Sequence, residues 1–136
     1  MKDLYHDFRS TYVIAPQTLT TANANGTGTD LLGYRGALMI VHLGAVGANQ
    51  GGSNNCTIGF FESTNNSVFS AIADTDLIGG NNTAAITANA SANATIQRSY
   101  IGSARYVTIR IAVAGTISLP VSGEVVKGFP LHAPIA

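Results

Sequence analysis

Nine residues constrain this 136-residue chain more than any other segment: Arg105-Tyr106-Val107-Thr108-Ile109-Arg110-Ile111-Ala112-Val113. Val107, Ile109, Ile111 and Val113 fall on one side of an extended backbone, and Tyr106, Thr108 and Arg110 on the other. Period two with β-branched residues on the apolar side is the pattern of a half-buried strand. Gly115 and Thr116 then make a turn.

Other segments carry the same signal. Residues 35–46 form an apolar run interrupted only by His42, which predicts a fully buried strand. Cys56 to Phe61 alternates, Ser63 to Asn66 reads as a turn, and Val68 to Ala73 resumes an apolar run, predicting a hairpin. Ile117, Leu119 and Val121 alternate again, but Pro120 lacks a backbone donor, which predicts an edge strand or a bulge. Val125-Val126 adds a short strand, and the prolines extend residues 128–134. Residues 23–30 and 47–55 are loops by their Gly and Asn content. Residues 79–95, almost all Ala, Asn and Thr, suit a long loop or a weak strand near Ala84 to Ala90 and read as mostly irregular.

The N-terminus is ambiguous in period. Leu4, Tyr5, Phe8 and Tyr12 would share one helical face, yet Pro16 stops any helix. Residues 1–14 are expected as an N-terminal arm, with a first strand near 12–20. Residues 15–136 are expected as one all-β domain, a β-sandwich or jelly roll, because six to eight short strands occur without a crossover helix.

Composition narrows the partners. Apolar residues make up 46%, enough for a core, but charged residues make up only 10% against about 25% in typical soluble domains. Seven basic and seven acidic residues cancel, and near-zero charge favours association between copies or with neighbours. The basic residues are scattered, which disfavours nucleic acid as a partner. No apolar stretch approaches the roughly 20 residues of a membrane helix. The first six residues lack the apolar core of a secretory signal, and Cys56 alone forms no internal disulfide. Sequons such as Asn93-Ala94-Thr95 are expected by chance in a chain this rich in Asn and Thr.

No motif specifies a reaction, so neither an enzyme nor a cofactor is expected. His6, His42 and His132 lie far apart, without metal-ligand spacing. His42 is expected as a hydrogen-bonded core or interface residue, and Cys56 as a small buried filler. Asp74 and Asp76 sit in a turn context, and Glu62 and Glu124 are single carboxylates. The glycine-rich segments lead into no helix that would cradle a phosphate.

The C-terminal third carries a resemblance. Tyr100-Ile101-Gly102-Ser103-Ala104-Arg105-Tyr106-Val107, the Ala114-Gly115-Thr116 turn and Gly128-Phe129-Pro130-Leu131-His132-Ala133-Pro134 resemble the capsid decoration, or cement, proteins of tailed bacteriophages. The resemblance covers roughly residues 98–134. It implies a β-sandwich, often trimeric, on the outer surface of a capsid, made in the host cytoplasm, stapling neighbouring major capsid protein subunits and carrying no catalytic residues. Arg105, Tyr106, Pro130 and His132 match the pattern and would have structural roles. The candidate contact residues are Leu4, Tyr5, Phe8, Tyr12, Phe129, Pro130 and His132. Another phage structural role (tail, head–tail joining or fibre-associated) is the alternative, followed by a carbohydrate-binding module, which the absence of Trp weakens.

An arm of 14 residues would not bind by apolar burial alone. Six apolar anchors (Leu4, Tyr5, Phe8, Tyr12, Val13 and Ile14) yield about 9–18 kcal/mol, against roughly 14–28 kcal/mol for ordering the backbone. Strand pairing or avidity in a homo-oligomer would have to close that gap, provided the arm lies outside its own domain.

Overall fold

The computed structural model describes residues 3–46, 50–88 and 93–131. A single helical turn, α1 (Leu4–Asp7), precedes eleven strands: β1 (Phe8–Leu19), β2 (Ala24–Asn25), β3 (Thr29–Asp30), β4 (Tyr34–Leu43), β5 (Asn55–Ser63), β6 (Ser70–Ala71), β7 (Leu77–Ile78), β8 (Thr83–Ile86), β9 (Thr95–Tyr100), β10 (Tyr106–Ala114) and β11 (Leu119–Pro130). They form two antiparallel sheets. The first has the order β1-β11-β4-β9-β7; the second runs β2-β10-β5-β6, with β3 also on β10 and β8 on β5. The architecture is the expected β-sandwich.

Three of the four inward residues of the nine-residue signal sit where periodicity requires; Val113 is only partly buried, and Thr108, expected outside, is fully buried with its hydroxyl donating to the Thr27 carbonyl at 2.9 Å. Val107, Ile109 and Ile111 on β10 are buried against Ile58 and Phe60 of β5 and against Met39, Val41, Leu119 and Val125 of the first sheet. The predicted hairpin over 56–73 is present in outline: β5 turns through Ser63 to Asn66 and pairs with the two-residue β6. Ser63 Oγ accepts from the backbone N–H groups of Asn65 and Asn66, which closes that turn.

Three expectations need correction. The run over 35–46 alternates: Ala37, Met39, Val41 and Leu43 point inward, whereas His42 points outward and is about half exposed. The segment near Pro120 is no edge. It belongs to β11, a 12-residue strand between β1 and β4. The missing donor is replaced, because Gly44 donates to the Pro120 carbonyl at 2.8 Å while Asn93 N–H, at 3.0 Å, satisfies the Gly44 carbonyl.

The N-terminal boundary is also different. Residues 8–14 are not an arm: Phe8 pairs with Gly128 and Tyr12 with Glu124, within the domain's own sheet. Only α1, capped by Asp3, whose carboxylate accepts the Tyr5 N–H at 2.9 Å, stands outside the ladder. Within the segment read as irregular, β8 pairs with β5, and at its end β9 begins, pairing with β4.

Candidate functional site

Strand pairing brings the two ends of the described chain together. Phe8 on β1 lies opposite Gly128 on β11, which in turn lies opposite Gly36 on β4. The two glycines make a flat floor for aromatic rings. A Cβ on Gly128 would come within 2.7 Å of the Phe8 ring, and one on Gly36 would sit 3.7 Å from the Phe129 ring. Phe129 has φ of 55°, a left-handed conformation uncommon for a bulky residue, and this breaks the alternation of β11. Its ring therefore lies on the same outer side as Phe8, with centroids 6.0 Å apart and planes at 70°. Leu38 and Val126 line the shallow concavity of about 110 Å³ between them.

Further apolar side chains are exposed on these strands and on the turn before them. Leu4 and Tyr5 on α1, Tyr12 on β1 and Phe129 are all more than 60% exposed, far beyond the scattered single residues of an ordinary surface. Pro130 continues β11 opposite Tyr34. Six of the seven candidate contact residues thus lie along the paired β1 and β11 or on the turn preceding β1; His132 lies outside the described residues.

A polar cluster interrupts this face, because Ser10 lies between Phe8 and Tyr12 on the same side of β1. Glu124, opposite Tyr12, accepts from Ser10 Oγ and lies 3.2 Å from His42 Nε2. The Ser10 hydroxyl and the His42 ring, donating to it, hold its carboxyl below the ordinary range against a partial desolvation penalty. This is no nucleophile arrangement, because the serine hydroxyl donates to the carboxylate and not to the imidazole.

Several other ionisable groups serve the scaffold. Arg105 holds Asp30 with two hydrogen bonds, of 2.9 and 2.6 Å, and lies 5.1 Å from the Tyr106 ring centre. That pairing brings the Asp30 carboxyl down to about 2. Tyr100 donates to Glu62 at 2.5 Å and accepts from Ala104 N–H at 2.8 Å, and burial together with Glu62 pushes its phenol well up. Cys56 is fully buried beside Gln50, and burial raises its thiol. Asp74 accepts from Asn82 N–H at 2.7 Å across a turn. Among the described residues no three His, Cys, Asp or Glu side chains converge.

Sequence reasoning missed the glycine floor, Leu38, Val126 and the Ser10–Glu124–His42 cluster. The outward positions of Leu38 and Val126 follow from alternation once the inward residues are fixed, but their neighbours depend on register across three strands.

No family model matches the chain, and no curated protein matches it in sequence. Solved structures do share its architecture. The PBSX exported protein XepA superposes with a TM-score of 0.57 at 16% identity over 94% of this chain, which spans 43% of XepA. The SPBc2 prophage-derived protein YomS gives 0.52 at 17% identity, covering 88% of this chain and 93% of YomS. A structure of Bacillus endospore appendages gives 0.50 at 10% identity, over 91% and 89%. The likeness is one of fold.

Proposed function

We propose that this chain is a structural protein of a tailed-phage particle that attaches to the outer surface of the capsid and staples neighbouring major capsid protein subunits, acting as an oligomer, with a trimer favoured. On this reading it performs no catalysis and takes no cofactor. The observation that carries the reading is the exposed aromatic face of β1 and β11, with Phe8, on the strand that ends its sheet among the described residues, in edge contact with Phe129. The C-terminal residue pattern supports it, as does a sandwich fold shared with the SPBc2 prophage-derived protein YomS and the PBSX exported protein XepA.

The energetic objection to an arm falls away for this geometry. Phe8 and Tyr12 are ordered by their own sheet, so docking them carries little backbone entropy cost. Large, rigid aromatic side chains are the usual anchors of protein interfaces. Low net charge leaves such contacts to apolar burial and hydrogen bonding.

The test uses purified particles and the full chain. Quantitative mass spectrometry should find it at a copy number comparable to the shell protein. A Phe8→Ala/Phe129→Ala variant should fold but bind stripped particles at least tenfold more weakly. A copy number of one ring per particle, or undiminished binding by the variant, overturns the proposal.

A further inference from the structure

On the opposite outer face, Arg110 of β10 stands directly across from Gly59 of β5. Its guanidinium carbon lies 5.1 Å from the centre of the Phe61 ring and 5.2 Å from that of Phe69. Nε is buried with no hydrogen-bond partner, and no carboxylate among the described residues pairs with the head group. The Phe61 ring lies across Gly59, where a Cβ would meet it at 2.7 Å. Asn23, Asn25, Thr57 and Thr83 complete a cup of about 230 Å³ whose lining contains no acidic residue. Asn23 Oδ1 already accepts from Val113 N–H at 2.7 Å, which leaves its amide hydrogens to donate.

The two ring contacts hold the partly buried guanidinium in place, and with no carboxylate beside it among the described residues the terminal amino groups are left to meet an anion. Its planar fork matches a carboxylate. The surrounding amides and hydroxyls are neutral donors and acceptors suited to hydroxyl groups. The volume falls below the roughly 300–1,000 Å³ of pockets for drug-sized molecules, so the cup suits one ring and not a chain. An acidic amino-acid side chain would leave much of it empty. We propose that this cup binds a single-ring sugar acid, with its carboxylate on Arg110 and its hydroxyls on Asn25, Thr57 and Thr83. The cup is on the other sheet from the aromatic face, so it stands or falls independently of capsid attachment.

The full chain, labelled with nitrogen-15, is titrated with D-glucuronate, D-glucose, acetate and N-acetyl-glutamate amide while backbone shifts are followed. Glucuronate should move resonances of β2, β5, β8 and β10 around the cup, and the three other probes should bind at least about tenfold more weakly. Arg110→Gln should lose at least tenfold in glucuronate affinity. Thr57→Val, which keeps a β-branched residue in the strand, should lose roughly threefold with an unchanged melting temperature and carries the test should Arg110→Gln unfold. No glucuronate response, a response mapping elsewhere, or equal or tighter binding of acetate or the glutamate derivative overturns the proposal.

Discussion

Gly128 and Gly36 face each other across two strands, yet alanine should have opposite effects at the two positions. At Gly128 the new Cβ would lie 2.7 and 2.9 Å from two carbons of the Phe8 ring, so the ring must leave its place. Phe8 is 37% exposed, and full burial of a Phe is worth about 1.5–3 kcal/mol, so displacement forfeits up to about 1–2 kcal/mol. Restricting the unfolded chain by replacing glycine returns about 0.4–1 kcal/mol. Gly128→Ala should therefore lose roughly 0.5–1.5 kcal/mol, lowering the melting temperature by about 2–6 °C. At Gly36 the Cβ would meet only Phe129, at an ordinary 3.7 Å. Gly36→Ala should keep the gain and melt about 2–4 °C higher. Thermal and urea melts of the two variants decide the first half of the argument, and sedimentation with particles decides the second. Gly128→Ala should attach several-fold more weakly, since a displaced Phe8 no longer packs beside Phe129. If Gly128→Ala melts at or above the unaltered protein, the glycine-floor reasoning is wrong. If it is destabilised yet attaches undiminished, the aromatic face is not the contact.

Three further outcomes follow from the same structure. Asp30, brought to about 2 by Arg105, adds stability that is complete above its unfolded value near 3.8 and lost as pH falls through about 2; because the pair is exposed this is below about 1 kcal/mol, and Asp30→Asn should flatten that part of a urea-melt series between pH 5 and 2. Tyr100→Phe should cost about 1–3 kcal/mol in urea melts by leaving Ala104 N–H and Glu62 without their partner, and the intact protein should lose stability above about pH 10, where the unfolded phenol ionises before the folded one. Attachment to particles should change less than about threefold between 0.15 and 0.5 M NaCl, since the aromatic anchors themselves are uncharged; release at moderately raised salt counts against the apolar contact.

What the sequence made legible was local. Val107, Ile109 and Ile111 announce their strand because β-branched residues at period two leave little alternative. β9 stayed hidden because Arg98 occupies an inward position between Ile96 and Tyr100, which spoils the pattern. The register resolves this by stacking its head group 5.6 Å from the Phe60 ring centre and bonding it to the Asn81 carbonyl. Pro120 misled because its cost depends on whether another donor serves the same carbonyl, and Asn93, 27 positions earlier, does so. The aromatic contact residues were visible one by one as apolar side chains in poorly patterned ends. Their convergence was not visible, because it rests on the pairing of residues about 120 positions apart. The Arg110 cup was illegible for the same reason: alternation turns Arg110 outward, but only the register with β5 sets it beside Phe61.

Register also limits how the outer side of β1 can be used. Among the described residues β1 ends its sheet, and a long edge strand would ordinarily invite indiscriminate strand addition. Here the ladder is irregular between Tyr12 and Ile14 and again between Ile14 and Gln17, with Pro16 inside the second break. The Val13 carbonyl is already taken by Thr27 N–H at 3.1 Å. Bulges of this kind twist an edge away from a flat partner, and proline removes a donor. The longest regular stretch is the five residues Phe8 to Tyr12, which carries two residues of the aromatic face; beyond the breaks Gln17 to Leu19 is also in register. A partner strand can therefore add most of its backbone hydrogen bonds only where its side chains also meet Phe8 and Tyr12, which couples specificity to pairing. Replacing Ser10, at the centre of the longer stretch, with proline should impair sedimentation with particles more than the same change at Thr18, beyond both bulges; equal loss at the two positions rules strand addition out.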